Sequence, residues 1–148
     1  MSENRIAGAW AAGSPRLLSI LRIVAAFLYM AHGTQKLFAF PTGMGPDGTG
    51  TATLASIFGA AGVIETFGGG LLLLGLFTRP VAFIAAGEMA VAYFKFHNPS
   101  GFWPLMNYGE IVVAFCFIWL YFSAAGGGPW SLDAAWRKAR SHELRAAS

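Results

Sequence analysis

The side chains best able to do chemistry in this sequence are charged or polar residues inside long apolar stretches. Each of three apolar stretches carries one glutamate, and an earlier stretch carries an arginine, a histidine and a lysine. These residues are Glu65, Glu88, Glu110, Arg22, His32 and Lys36. Ionisable groups inside a membrane are costly, so they face a bundle interior or a water-filled cavity and commonly pair with one another. Carboxylates and an imidazole placed there can carry protons.

The composition is that of a membrane protein. Hydrophobic residues make up 55% of the chain and charged residues 11%, whereas soluble domains have about 45–50% and about 25%. Four apolar stretches are long enough to be spanning helices, at about residues 16–38, 56–77, 80–97 and 107–125. We therefore predict an all-α fold, an integral membrane four-helix bundle within residues 16–128. Residues 1–15 are predicted to be an N-terminal tail and residues 129–148 a basic amphipathic C-terminal tail.

The distribution of lysine and arginine predicts the orientation in the membrane. The two tails and the turn at residues 78–80 carry Arg5, Arg16, Arg79, Arg137, Lys138, Arg140 and Arg145. The loops at residues 39–55 and 98–106 carry none. The positive-inside rule therefore places both termini in the cytoplasm. Basic residues gathered at the ends indicate topology and no nucleic-acid surface.

Helical periodicity predicts that the glutamates face inward. At 100° per residue, Glu65 shares a helix face with Gly62 and Gly69, Glu88 shares one with Ala85, and Glu110 shares one with Ala114. Small residues at these positions allow neighbouring helices to approach closely. The glutamates on the same faces should therefore point into the bundle.

Depth along the helices predicts a polar pocket in the outer half of the bundle. Glu65 and Glu88 should lie roughly 12–14 Å below the outer surface, at about 1.5 Å per residue. We predict a proton relay through Glu65, Glu88 and His32. Predicted ligand-binding residues, all near the outer surface, are His32, Lys36, Lys95, Trp103, Asn107 and Glu110. Trp103 would pack on a ring-shaped, lipid-soluble ligand or serve as an interfacial anchor.

Structural roles for the same charges remain open. Buried pairs such as Lys36–Glu110 can neutralise each other and set the helix register. Arg22 and Arg79 are predicted to belong to structural charge pairs. Lys36 and Lys95 lie near helix ends, where they can extend to the lipid headgroups. No HxxxH, HExxH or CxxCH motif is present, so we predict neither a metal nor a haem site.

Three segments resemble the DoxX family. LRIVAAFLYMAHGTQKLF is similar to the first helix of that family, and GVIETFGGGLLLLGLFTRPVAFIAAGEMAVAYF to its central hairpin. FWPLMNYGEIVVAFCFIWLYFSAAGGGPWSLD is similar to its last helix. The similarity covers residues 17–133 and implies a four-helix, multi-pass protein of the bacterial inner (plasma) membrane. The motif positions are His32, Gly33, Lys36, Glu65, Arg79, Glu88, Asn107, Glu110 and Asp133.

The resemblance also implies a link to redox chemistry. The family takes its name from a small subunit associated with a terminal quinol oxidase and a thiosulfate:quinone oxidoreductase. We therefore expect a subunit of a quinone-linked membrane oxidoreductase, with a quinone as cofactor and a partner redox subunit or a homo-oligomer. A non-catalytic membrane scaffold and a small proton-coupled transporter acting as an oligomer are the alternatives.

Overall fold

The structure of the protein, a computed structural model, describes residues 2–146. Residue 1 of the expected N-terminal tail and residues 147–148 of the expected C-terminal tail lie outside this range, as do the side chains of residues 2–7 and 9, including Arg5 of the predicted topology. The described chain contains helices and no β-strand, which confirms the all-α prediction. The helices are α1 (Ser2–Phe38), α2 (Ile57–Val63), a π-helical turn (Ile64–Gly68), α3 (Gly69–Leu74), α4 (Thr78–Ala92), a second π-helical turn (Tyr93–His97), a 3₁₀ turn (Asn98–Ser100), α5 (Glu110–Ala125) and α6 (Leu132–Ala146).

Helix α1 is longer than the predicted span. It begins at Ser2 and continues through Pro15, whereas the sequence pattern predicts a start near residue 16. The alanine-rich sequence before Pro15 favours helix, which offsets the backbone hydrogen bond that proline removes. Its 37 residues correspond to about 55 Å, more than the roughly 30 Å of a bilayer's hydrocarbon core.

The second helical segment is continuous from α2 through the first π-helical turn to α3. Ser56 caps its start, because the Ser56 hydroxyl accepts a hydrogen bond from the Gly59 amide at 3.0 Å. Gly75 ends it in the left-handed conformation, with φ of 69°, which a glycine adopts without steric cost. The chain then reverses over three residues and enters α4 at Thr78.

The core joins α1, α3, α4 and α5 around aromatic side chains. Tyr29, Leu72, Trp119 and Phe122 are fully buried. The Tyr29 ring meets the edges or faces of Phe115 and Trp119 at centroid distances of 5.7 and 5.5 Å. Small residues fill the spaces between the helices and let them approach: Ala25, Ala26, Ala82, Ala85 and Ala86.

Many large apolar side chains point away from this core. Phe27, Phe83, Phe94 and Phe117 are each 59–65% exposed. Apolar surface of this extent is unusual for a soluble monomer and fits a lipid environment. By length and composition, two segments of the described chain can cross a membrane, Trp10–Phe38 and Ile57–Leu74. Helix α5 is apolar but shorter, at 16 residues.

Candidate functional site

Three glycines bring α1 against the second helical segment. A Cβ atom on Gly33 of α1 would collide with the backbone of Thr66 in the first π-helical turn. A Cβ atom on Gly69 would lie 2.9 Å from the Cβ atom of Met30, and Gly62 is equally crowded. At Gly33 and Gly69 a side chain would meet backbone atoms of the other segment, so the two backbones approach each other closely there, whereas Gly62 faces the Leu37 side chain. This close approach positions the charged residues of the two segments next to each other.

The first π-helical turn presents Glu65 to α1. Glu65 is 3% exposed, and its carboxylate forms an ion pair of 2.6 Å with the Lys36 ammonium. The ammonium also donates to the His32 carbonyl oxygen at 3.4 Å. The predicted pairing of Lys36 with Glu110 is therefore wrong, because Glu110 lies on the first turn of α5 and is exposed. A π-helical turn shifts the direction of the side chains that follow it and is frequent at functional sites.

A second polar contact lies across the same space. The Tyr29 hydroxyl donates a hydrogen bond of 3.0 Å to the Glu88 carboxylate on α4. Because Tyr29 is fully buried and held by Phe115 and Trp119, its hydroxyl has a fixed position. The sequence pattern did not indicate Tyr29 as a site residue. Its place one heptad before Lys36, on the same face of α1, was the available signal.

These two contacts line one cavity of about 500 Å³, a volume typical of small-molecule sites. Tyr29, His32, Lys36, Glu65 and Glu88 form its polar part. Apart from His97, the remaining wall is apolar and includes Ile57, Phe58, Val91, Phe96 and Ile111. Those five side chains are also exposed on the outer surface of the protein. The cavity therefore opens sideways between apolar side chains and has its charged groups inside.

Four residues predicted to bind a ligand lie outside this cavity. Lys95 and Glu110 are exposed and do not line it. Trp103 is 70% exposed on the loop before α5. Asn107 is buried, but its amide donates to the Gly101 carbonyl at 2.7 Å and accepts from the Gly109 amide at 2.9 Å. Asn107 therefore stabilises the conformation of its own loop.

The position of Lys95 follows from the second π-helical turn. Extra residues in this turn rotate the side chains away from the face that a regular helix would give them. The same turn brings His97, which the ligand-binding prediction did not include, to the cavity wall. The His97 ring Nδ1 lies 2.9 Å from the Asn107 carbonyl oxygen, so His97 connects the cavity wall to the loop before α5.

Arg22 binds backbone carbonyls in place of the predicted charge pair. It is fully buried, and its guanidinium donates to the carbonyl oxygens of Leu72 and Leu73 at 2.6 and 2.7 Å. It also donates to the carbonyls of Gly127 and Trp130 at 2.9 and 2.6 Å. The last carbonyls of a helix lack partners and carry partial negative charge, which explains the position of a cation at the end of α3. Arg22 is remote from the cavity and has a structural role.

Asp133 caps helix α4 at the same end of the molecule. Its carboxylate accepts the backbone amides of Phe77 and Thr78, both at 2.9 Å. Burial by itself raises the pKa of Asp133, but these hydrogen bonds and the nearby Arg137 outweigh it and hold the pKa below its ordinary value. Arg79, the other predicted member of a charge pair, is exposed on the first turn of α4.

No group of three histidine, cysteine, aspartate or glutamate side chains in the described part of the chain could hold a metal ion. The polar groups of the cavity are hydrogen-bonding groups. The lysine ammonium and the tyrosine hydroxyl are hydrogen-bond donors, and the two carboxylates are acceptors when ionised.

Comparisons with known proteins identify the family. The DoxX family model matches residues 17–98, more than half of the chain. A Haemophilus influenzae protein, described as uncharacterised, is 43% identical over 122 residues, which cover 80% of this chain and 90% of the relative. An uncharacterised membrane protein of Mycobacterium tuberculosis is 26% identical over 136 residues, covering 83% of this chain and 82% of that protein. No solved structure matches. The chain belongs to the DoxX family and is a membrane protein.

Proposed function

We propose that the protein is a multi-pass protein of the bacterial inner membrane, a four-helix bundle with both termini in the cytoplasm. Two segments have the length and composition of spans. Helix α4 with its π-helical turn, residues 78–97, and α5 are the two further spans of the proposal. The contacts of Asp133 with Phe77 and Thr78 support the orientation, because they hold two arginine-bearing segments, the 78–80 turn and α6, at one end.

We infer that the cavity binds the headgroup of a quinone and that the protein is a subunit of a quinone-linked membrane oxidoreductase. One observation carries this inference: the cavity opens through apolar side chains toward the lipid and ends at the contacts Lys36–Glu65 and Tyr29–Glu88. A lipid-soluble molecule with a polar ring matches both parts. Its apolar tail can leave through the mouth, and its oxygens can meet the charged groups inside.

The polar groups retain capacity for such a ligand. The Lys36 ammonium has three donor hydrogens, and two are used by Glu65 and His32. The third can donate to a ring oxygen. Tyr29 donates to one oxygen of the Glu88 carboxylate, so the phenol oxygen and the second carboxylate oxygen can still accept hydrogen bonds.

A quinone, when bound, supplies reversible two-electron and two-proton chemistry. Lys36 would hold a ring oxygen, and Tyr29 would orient the Glu88 carboxylate toward the site. Glu88 would exchange both protons of the couple with the site one at a time, and His32, exposed at the cavity's edge, would pass each of them to or from the outside. The two electrons would come from, or go to, the redox group of a partner subunit.

The experiment is mass spectrometry of the protein extracted gently from its own membrane. We expect a stoichiometric quinone with the wild type. Tyr29→Phe and Glu88→Gln should each reduce quinone affinity about tenfold or more, since the first removes the hydrogen bond to Glu88 and the second replaces the charged acceptor by a neutral amide. Glu110→Gln is the matched control, because it makes the same chemical change outside the cavity, and it should retain the quinone.

Equal quinone content in all four proteins would contradict the proposed site. Protein that carries no quinone, and whose Glu88→Gln variant loses abundance, would instead support a scaffold whose buried charges are structural. Solute or proton flux through the purified protein in liposomes, abolished by Glu88→Gln, would support the transporter alternative.

A further inference from the structure

Helix α6 is attached firmly to the end of the helical body. The Asp133 amide donates to the Gly75 carbonyl at 3.0 Å, and the Asp133 carboxylate caps α4. Just before α6, the Trp130 carbonyl accepts a hydrogen bond of 2.6 Å from buried Arg22. These contacts fix the first turn of α6 beside the point where α3 ends and α4 begins. For a protein that crosses the membrane, this is the level of the lipid headgroups.

The apolar side chains of α6 have little cover. No residue of the described α6 is buried, and Leu132 and Trp136 are 46% and 62% exposed. With Ala135 and Ala139 they form one stripe along the helix, by the 100° periodicity. The Trp136 ring contacts Phe77 at a centroid distance of 6.5 Å, and Phe77 is itself exposed. A stripe of this kind, with tryptophan at its centre, fits the boundary between headgroups and acyl chains.

A cationic cleft lies along the edge of this stripe. It has a volume of about 230 Å³ and is lined by Asp133, Trp136, Arg137 and Arg140. The Asp133 carboxylate is occupied by two backbone amides of α4, whereas both guanidiniums are exposed. A guanidinium presents paired N–H groups that match the oxygens of a phosphate. The tryptophan ring offers an apolar wall beside the charged one.

We propose that α6 is an interfacial helix that binds the phosphate groups of anionic phospholipids through Arg137 and Arg140, with Trp136 set into the headgroup boundary. Charge supports lipid as the occupant: α6 carries four basic residues against two acidic ones. Cytoplasmic leaflets are negatively charged and attract basic segments close to a membrane span. The place of attachment supports it too, since α6 starts where the helical body ends.

The test is native mass spectrometry of the full chain in detergent, titrated with phosphatidylglycerol or with phosphatidylcholine. We expect tighter binding of phosphatidylglycerol. The double variant Arg137→Gln/Arg140→Gln should weaken it by roughly 30-fold, from about fivefold for each charge near the membrane surface. Both residues are exposed, and Arg137 acts on the Asp133 cap only through a charge interaction, so the substitutions should shift the thermal midpoint by about 2 °C or less. Lys95→Gln, which removes one exposed basic charge beyond the other end of α4, should bind phosphatidylglycerol like the wild type.

A second measurement addresses insertion. A spin label on Ala139→Cys, in a Cys116→Ser background, should report headgroup depth in vesicles that contain phosphatidylglycerol. Equal affinity for the two lipids, or an equal loss in Lys95→Gln, would overturn the proposal. A label that remains in water in vesicles that contain phosphatidylglycerol would overturn the proposal as well.

Discussion

Replacing Arg22 by methionine tests the interpretation of this residue as a ligand of backbone carbonyls. Arg22 is fully buried and donates to four carbonyl oxygens at 2.6–2.9 Å. Each hydrogen bond with a charged partner contributes about 1.5–3 kcal/mol, but the values do not add, and losing the buried charge recovers part of its desolvation cost. We therefore expect Arg22→Met to lower the free energy of unfolding by about 3–5 kcal/mol.

Thermal unfolding of the detergent-solubilised protein, followed by circular dichroism, measures this effect. A loss of that size corresponds to a drop of roughly 10 °C in the midpoint for a chain of this length. Arg79→Met is the matched control, because Arg79 is exposed, and it should shift the midpoint by about 2 °C or less. Arg22→Lys keeps the charge but cannot reach four carbonyls, so it should lie between the two. Full stability of Arg22→Lys would refute the reasoning, since charge alone would then be sufficient.

Three further predictions concern packing, capping and the loop before α5. Gly33→Val should lower the thermal midpoint strongly, because its side chain meets the Thr66 backbone, whereas Gly87→Ala, which meets open space, should have no effect. Asp133→Ala should cost about 1 kcal/mol through loss of the α4 cap. Because the native pKa of Asp133 is lowered, this contribution is fully present above about pH 4 and is lost as the pH falls through the native pKa, which midpoints measured at pH 6 and pH 3 can detect. Asn107→Ala should lower the free energy of unfolding, measured with a chemical denaturant, by about 1–3 kcal/mol. It should leave the quinone content unchanged. A loss of quinone in a stably folded variant would contradict a purely structural role of Asn107 in its loop.

The sequence pattern predicted the helices and the inward direction of Glu65 and Glu88 because both depend on local periodicity. The same prediction for Glu110 is wrong, because Glu110 lies on the first turn of α5 and is exposed. Glu65 is buried, and Glu88 is partly buried in the same cavity. Small residues beside them carried that signal, since helices can approach closely only where side chains are small. His32 and Lys36 come to the same cavity because they lie one turn apart on α1.

Local periodicity could not predict the interaction partners of these residues. The two π-helical turns have no sequence signature, and they decide that Glu65 meets Lys36 and that Lys95 points outward. The partners of Arg22 are backbone carbonyls, which every residue carries, so charge counting could not find them. The partners of Asn107 could not be predicted either, because its side-chain amide forms hydrogen bonds with the backbone of its own loop.

We propose that the cavity between α1, the first π-helical turn and α4 holds a quinone headgroup. Irradiating bacterial membranes that contain the protein with a photoreactive quinone analogue, followed by peptide mapping, tests it most directly. We expect labels on the side chains at the mouth of the cavity, Phe58, Phe96 and Ile111. Excess quinone, or the Tyr29→Phe substitution, should decrease the amount of label on these side chains. Labels confined to the exposed loop around Trp103, or spread over all lipid-facing residues and unaffected by Tyr29→Phe, would contradict it.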